Sequence, residues 1–167
     1  MNDTLRYLKE DPINRQYHHN LLTFSLMYAF SENYLLPISH DEVVHGKGSM
    51  LTKIPGSRDE QLATLRAFLA YMWSHPGKIL LFAQPGEWAD GRSLDWWLLD
   101  HAAHYRVHAL VKELNALYRR HPALWALDSE GSGFRWLDAD DNTGNLLSYL
   151  RFERADQQGD VVATVVN

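Results

Sequence analysis

The chain has 167 residues, of which 46% are hydrophobic and 22% charged, with a formal net charge of −5, so it is globular and holds one domain or one domain plus part of another. It has no basic tract, no apolar run long enough to cross a bilayer and no signal-peptide pattern, which argues against nucleic-acid and membrane partners. Zero cysteines exclude disulfides and thiolate metal sites and fit a reducing compartment, so we expect a cytoplasmic location.

Aromatic residues are the compositional outlier, with six Trp and eight Tyr. Sugar rings have apolar C–H faces that stack on aromatic side chains, so a carbohydrate-binding protein would have such a composition. On composition alone, packing in the core and at its rim is the better explanation.

The first part of the chain alternates between helix and strand patterns. A short helical stretch stops before Pro12, residues 21–30 have the all-round apolar pattern of a buried helix, and residues 34–38 form a short apolar strand. Residues 51–57 are predicted to be a loop and a turn.

A longer helix is predicted over residues 60–74, with Ser57 or Asp59 as its cap and the His-Pro-Gly sequence at 75–77 as its end. Its apolar residues recur at helical spacing, so one face is directed toward a core. They are Leu62, Leu65, Leu69, Met72 and Trp73.

Residues 78–82 form a continuous apolar run, which is typical of a strand buried on both faces of a parallel sheet. A loop over 83–100 follows, and then a long helix that ends before Pro122. The apolar stripe of this helix consists of Val107, Leu110, Val111, Leu114, Leu117 and Tyr118. The alternation of helices and strands predicts a parallel sheet with helical crossovers.

Beyond residue 124 the pattern changes to short strands. They are predicted at 134–137, 146–152 and 161–166 and are joined by polar turn segments. Consecutive strands with short polar connections predict an antiparallel meander.

We therefore expect an α/β fold in which residues 1–124 are the last strands and helices of a (β/α)8 TIM barrel. Residues 125–167 are expected to be the first strands of an all-β sandwich domain. Two parallel strands cannot close a barrel, which takes roughly 250 residues. The chain is accordingly expected to be cut at both ends.

Polar and titratable residues cluster directly after the first predicted strand. They are Ser39, His40, Asp41, Glu42, His45 and Lys47. Gly46 and Gly48 add backbone freedom to this stretch. Loops that follow the carboxyl ends of parallel strands carry the chemistry of barrel enzymes, so we interpret the stretch as part of an active site. A surface turn after a core strand is the alternative.

Each residue type in this cluster suggests a role. At a strand end, Asp41 can accept hydrogen bonds from substrate hydroxyls or stabilise a developing cation, and His40 can donate to a sugar hydroxyl. Glu42, His45 and Lys47 can form ion pairs that hold the loop. For Glu42 we favour such a structural pair.

Two arrangements raise the question of a metal site. Glu42 and His45 have the Glu-x-x-His spacing of di-iron bundles, but Pro37 and Gly46 argue against a helix there and no second copy occurs. Three histidines share one face of the last predicted helix, without a carboxylate that completes a cluster: His101, His104 and His108. We expect neither a metal nor a cofactor.

The string Leu-Pro-Ile-Ser-His-Asp-Glu-Val-Val-His-Gly-Lys-Gly-Ser at 36–49 closely resembles the fourth signature region of the glycogen branching enzymes of the α-amylase superfamily. Other superfamily members keep the His-Asp pair but not its flanks, so the string is specific. Further stretches resemble the same family over nearly the whole chain. They lie at 2–5, 11–12, 17–20, 22–25, 28–33, 69–73, 75–78, 93–96, 134–141 and 146–151.

The resemblance implies a retaining transfer reaction in glycogen biosynthesis. Branching enzymes cleave an α-1,4-glucosidic bond and transfer the chain to a 6-hydroxyl, which creates an α-1,6 branch. Retention needs a carboxylate nucleophile and a carboxylic general acid on either side of the bond. By resemblance, Asp41 is a third carboxylate that stabilises the oxocarbenium-like transition state, and His40 binds a substrate hydroxyl. The implied substrate is α-1,4-glucan, such as glycogen or amylose.

The family's other two carboxylates do not occur in this sequence. It contains no Gly-Phe-Arg-x-Asp-Ala string for the nucleophile and no Ala-Glu-Glu-Ser-like strand end for the acid/base. We therefore expect the chain to be inactive alone and to need the upstream part of its own enzyme, which completes the barrel.

The chain departs from the family pattern in the loop after the second parallel strand. The family has a longer loop with a Gly-x-Glu-Phe-Gly string there, whereas this chain has only Ala-Gln-Pro-Gly-Glu-Trp at 83–88. Glu87, Trp88, Arg92 and Trp96 can line the rim of the site or simply pack the loop. The predicted substrate-binding residues are Ser39, Glu42, His45, Lys47, Arg92 and Trp96.

Two other functions compete with a branching-enzyme segment. One is a non-catalytic remnant that holds α-glucan through its aromatics, and the other is an unrelated α/β protein that binds a metal or a partner. Asp41→Asn distinguishes catalysis from glucan binding, and metal analysis tests the last alternative.

Overall fold

The computed structural model describes residues 38–39, 50–79, 95–139, 141, 143–144 and 146–167. The predicted helices before residue 34 lie outside this range. The described part combines helices with a three-stranded antiparallel sheet, which is a mixed α/β fold. Its main elements are β1 (Ile38–Ser39), α1 (Met50–Lys53), α2 (Arg58–Ser74), β2 (Lys78–Ile79), α3 (Ala102–Arg120), β3 (Phe134–Asp138), β4 (Leu147–Phe152) and β5 (Val161–Val166). Short 3-10 helices cover Trp96–Asp100, Pro122–Leu124 and Gly131–Gly133.

The strands β1 and β2 are parallel neighbours. Ile38 lies opposite Lys78, and Ser39 lies opposite Ile79. This pairing confirms the parallel arrangement predicted for the two strands. The other residues of the predicted strands, 34–37 and 80–82, lie outside the described residues.

A capping box begins α2. The Ser57 Oγ atom accepts from the backbone N–H of Glu60 at 3.5 Å, and the Glu60 carboxylate accepts from the backbone N–H of Ser57 at 2.8 Å. Two backbone donors at the start of the helix are thereby satisfied. Of the two predicted caps, Ser57 is the one that the structure uses, and Asp59 lies in the first turn.

The short helix α1 shows that the prediction of a loop is wrong at residues 51–53, whereas the predicted turn at 55–57 lies outside the helices. Leu51 and Ile54 are both buried against α2, and the Gln61 side-chain amide donates to the carbonyl of Ile54 at 2.8 Å. Two apolar residues three positions apart define one helical turn when a neighbouring helix covers them. In the sequence, so short a pattern cannot be distinguished from a loop.

Packing of α2 against α3 forms the helical core. The predicted stripe of α2 is buried throughout, whereas only Val107 of the predicted stripe of α3 is fully buried. Val111, Leu114 and Tyr118 are partly buried against the same core, and Leu117 is exposed. The Trp73 indole N–H donates to Asn115 Oδ1 at 3.2 Å and links the two helices.

The strands β3, β4 and β5 form an antiparallel sheet in that order, which confirms the predicted meander. Tyr149 in the central strand lies opposite Trp136 and Thr164. Gly133 directly precedes β3 and lies close to the backbone of Leu127. A Cβ added at Gly133 would lie 2.7 Å from the carbonyl oxygen of Leu127. A larger residue there would force the backbone apart.

Within the described residues, none of the helices combines the length and the apolar character that crossing a membrane requires.

Candidate functional site

The parallel pair β1–β2 positions the start of the predicted site. Because the two strands run in the same direction, Ser39 and Ile79 lie at the same end of the described pair. Ser39 is described as a strand residue. Most predicted site residues lie outside the described residues, namely His40, Asp41, Glu42, His45, Lys47, Arg92, Glu87 and Trp88.

Trp96 is the predicted rim residue that the structure describes. It begins the 3-10 helix Trp96–Asp100, so the last part of the predicted loop at 83–100 is helical instead. Asp95 precedes this helix, and the backbone N–H of Leu98 donates to its carbonyl at 3.0 Å. The Trp96 and Trp97 side chains are 68% and 59% exposed. Both rings therefore present faces on which a sugar could stack.

Each of three histidines around the N-terminal half of α3 lies beside another ring, with His101 just before the helix and His104 and His108 within it. The rings of Trp97 and His101 meet edge to face with centroids 5.7 Å apart, and those of His101 and His104 are 6.3 Å apart. His108 lies beside the ring of Tyr105 at 6.3 Å. In the described part of the chain, no three His, Asp or Glu side chains are arranged to hold a metal ion.

A second polar region joins the end of α2 to the sheet. The Ser74 hydroxyl donates to the carbonyls of Ala70 and Tyr71, both at 3.1 Å, and the Tyr149 hydroxyl lies 2.8 Å from the same oxygen. Either hydroxyl can be the donor of the bond between Ser74 and Tyr149. Burial raises the pKa of Tyr149 to about 12, so its hydroxyl stays protonated well above neutral pH.

Arg151 lies fully buried at the centre of this region. Its Nη2 atom donates to Asp128 Oδ1 at 2.7 Å and to the carbonyl of Leu124 at 3.2 Å. Its Nη1 atom donates to the carbonyl of Ser74 at 3.0 Å. One guanidinium from β4 therefore contacts both α2 and the segment after α3, and Asp128 balances its charge.

His75 follows α2 and is also buried. Its Nδ1 atom lies 2.7 Å from the carbonyl oxygen of Pro76, which can only accept, so Nδ1 carries the proton. Burial lowers the pKa of His75 to about 4, with a smaller contribution from the positive charge of Arg151. The ring is therefore neutral at pH 7.

A further polar contact lies at the other end of α3. The Asp160 carboxylate contacts Nδ1 of His121 at 3.0 Å and accepts from the backbone N–H of Ala123 at 3.2 Å. His121 ends the helix, and Asp160 precedes β5. The contact ties the C-terminal end of α3 to the sheet.

Sequence reasoning missed the Arg151–Asp128 pair. Alternation along β4 gives a signal for Arg151, because residues 147, 149 and 151 face the same side of a strand and the first two are apolar or aromatic. A charged residue on that side has to be paired if it is buried. Asp128, 23 positions away, lies in a turn that has no such pattern.

No protein-family model matches the chain. Curated relatives match all of it. The chain is 55% identical to the 1,4-alpha-glucan branching enzyme GlgB of Leifsonia xyli subsp. xyli, 55% identical to that of Frankia casuarinae and 54% identical to that of Thermobifida fusca. The chain is homologous to a segment of the 1,4-alpha-glucan branching enzymes.

These branching enzymes are much longer than the chain, which spans 23%, 21% and 23% of their respective lengths. Each of the three alignments covers 172 positions, more than the 167 residues of the chain, so the branching enzymes contain residues that have no counterpart here. The predicted resemblance to branching enzymes is confirmed over the whole sequence.

Proposed function

We propose that the chain is a working part of a 1,4-α-glucan branching enzyme and contributes one of the three carboxylates of its active site. The reaction cleaves an α-1,4 bond and transfers the chain to a 6-hydroxyl, which creates an α-1,6 branch. The observation that carries the proposal is the 50–55% identity, over the whole chain, to enzymes with this name.

The proposed fold around the site is the last part of a (β/α)8 barrel, over residues 1–124, followed by the first strands of an all-β domain. The parallel pairing of β1 with β2, the helices α2 and α3 and the meander β3–β5 support this division. Barrel active sites lie at the carboxyl ends of the strands, and the sequence runs from the end of β1 directly into His40 and Asp41.

In this proposal Asp41 stabilises positive charge that builds on the glucose ring. Its interaction with the sugar strengthens in the transition state. It therefore lowers the activation free energy of the reaction and not merely the dissociation constant of the substrate. His40 donates to a hydroxyl of the same sugar. Ser39, Glu42, His45, Lys47, Arg92 and Trp96 contribute to glucan binding around them.

The catalytic cycle also needs a carboxylate nucleophile and a carboxylic acid that protonates the leaving oxygen. The sequence contains neither of the strings that supply them in the family. We therefore propose that the chain acts on α-glucan only together with the remaining part of a branching enzyme.

A chimeric enzyme tests the proposal. The matched segment of the Thermobifida fusca relative is replaced by this chain, which is 54% identical to it. We expect the chimera to lower the iodine absorbance of amylose and to form α-1,6 linkages, which are measured by debranching. The chain alone should do neither.

The variant Asp41→Asn keeps the size of the side chain and removes its negative charge. We expect it to lower kcat by about 10²–10³-fold, the usual cost of losing one transition-state contact, with amylose affinity retained. Asp156→Asn is the matched control, because Asp156 is exposed in the turn before β5 and contacts Arg154 there. A folded chimera without branching activity would contradict the proposed function, and a fully active Asp41→Asn variant would contradict the role of Asp41.

The exposed rings of Trp96 and Trp97 favour a second function, which is glucan binding without catalysis. In that case the chain alone would be retarded in a gel that contains amylose, and Asp41→Asn would leave all properties of the chimera unchanged. Trp96→Ala would then weaken the retardation.

A further inference from the structure

We propose that Arg151 is a positioning residue that fixes the corner between α2 and β2, and through it the strand β1 that runs into the catalytic segment. This inference rests on the proposed function. Arg151 belongs to the three-stranded sheet, yet its Nη1 atom donates a hydrogen bond to the carbonyl of Ser74, the last residue of α2.

The path from Ser74 to the parallel strands is short and constrained. Only residues 75–77 separate Ser74 from β2, and His75, Pro76 and Gly77 are all buried. His75 donates to the carbonyl of Pro76, and Gly77 has φ +124°, a conformation that side chains disfavour. If the Ser74 carbonyl is displaced, the constrained residues 75–77 can absorb little of that displacement before Lys78.

The next step leads from β2 to β1. Lys78 lies opposite Ile38, and Ile79 lies opposite Ser39. His40 and Asp41 follow Ser39 in the sequence. A shift of β2 therefore acts on the strand that precedes the proposed catalytic residues.

Stability alone does not account for a guanidinium at position 151. The Nε atom of Arg151 is buried and makes no hydrogen bond to the described residues, which costs free energy. An apolar side chain of similar volume would avoid that cost and the desolvation of the charge, and such replacements of buried ion pairs are often neutral or stabilising. An apolar residue could not hold the Ser74 carbonyl. A planar group with several donors can contact Ser74, Leu124 and Asp128 at once.

Two variants separate positioning from mere stability. Arg151→Lys keeps the charge opposite Asp128 but cannot make all three contacts. The double variant Arg151→Met with Asp128→Asn removes the buried charges together, so that neither remains unpaired. Arg135→Lys is the matched control, because Arg135 lies exposed on β3 and contacts Gln157 and the ring of Phe152.

Hydrogen exchange of the full chain is the first measurement. We expect amides at 75, 77–79 and 38–39 to exchange at least tenfold faster in both Arg151 variants, while the amides of α3 change less than twofold. Arg135→Lys should leave all of them unchanged. Equal acceleration in α3 would show a general loss of stability, and unchanged exchange at 77–79 would show that Arg151 does not hold the corner. Either result overturns the proposal.

The second measurement is kinetic and uses the chimeric branching enzyme below its unfolding temperature. We expect kcat to fall about tenfold in both Arg151 variants with KM within twofold, because misplaced catalytic groups act on the transition state. A normal kcat in the folded double variant would overturn the catalytic part. If the parent chimera does not branch amylose at all, the proposed function fails, and the exchange measurement still decides whether Arg151 fixes the corner.

Discussion

His75 illustrates what burial does to a single titratable residue. The ring is 8% exposed, lies beside Tyr71 with ring centroids 5.2 Å apart and donates to the carbonyl of Pro76. Both burial and the nearby charge of Arg151 oppose protonation, which lowers the pKa of His75 from 6.5 to about 4. The folded structure therefore favours the neutral form of the His75 ring.

The lowered pKa predicts how stability depends on pH. Between pH 6.5 and about 4 the unfolded chain binds a proton at His75 and the folded chain does not, so the free energy of unfolding falls as the pH falls through this range. The loss from this residue reaches roughly 3 kcal/mol near pH 4 and levels off below it. Urea unfolding at several pH values measures it.

Two substitutions isolate the contribution of His75. His75→Asn keeps a short donor near the Pro76 carbonyl but does not titrate, so its loss of stability between pH 7 and pH 4 should be smaller than that of the parent chain. His108→Asn is the control, because His108 is exposed on α3, and it should follow the parent. Equal pH dependence of His75→Asn and the parent would contradict the prediction.

The residues of the site differ in how far the sequence identifies them. The polar cluster from Ser39 to Lys47 is visible because titratable residues interrupt an apolar run. The role proposed for it rests on the resemblance of residues 36–49 to the branching-enzyme string. The pair of Arg151 and Asp128 depends on a contact between distant parts of the chain. The sequence around either residue gives no signal that points to the other. Only the folded structure therefore identifies the pair.

At the scale of elements, α2 depends on its first turn. The Ser57 and Glu60 side chains satisfy each other's backbone N–H groups, and contact with Ser57 lowers the pKa of Glu60. We expect Ser57→Ala to destabilise the chain by about 1 kcal/mol, the usual cost of losing a side-chain cap. The change in urea midpoint measures it.

Ser57→Thr tests whether the cap itself is responsible. Threonine also accepts from the N3 backbone N–H, so this variant should lose clearly less stability than Ser57→Ala. Equal losses in the two variants would show that position 57 acts through another contact.

Elements with a sustained pattern were predicted from the sequence, and short ones were not. The stripe of α2, the end of α3 before Pro122 and the strand β5 are confirmed. The one-turn helix α1 and the 3-10 helix Trp96–Asp100 were not predicted, because their few residues do not complete a helical period. Packing of Leu51 and Ile54 against α2 decides the conformation of α1.

At the scale of the whole molecule, the helices and the sheet meet at a buried joint, which consists of Tyr71, Ser74, Tyr149 and Arg151. Tyr71 and Tyr149 meet edge to face at 6.4 Å, and Ser74 contacts both Tyr149 and Arg151. Asp160 adds a second connection at His121. Sequence patterns predicted the meander and the helices separately, but a joint between them consists of contacts between distant residues and leaves no periodic signal.

The buried joint predicts that helices and sheet unfold together. Separation of the two would leave the Arg151–Asp128 pair and the Tyr149 hydroxyl without their contacts to α2, which costs more than either part gains in freedom. We expect the backbone amides of Leu65 in α2, Val111 in α3 and Leu150 in β4 to give the same free energy of opening in native-state hydrogen exchange. The three values should fall together as urea is added. Opening of β4 at a free energy lower by about 2 kcal/mol or more would instead mean that the sheet unfolds as a unit of its own.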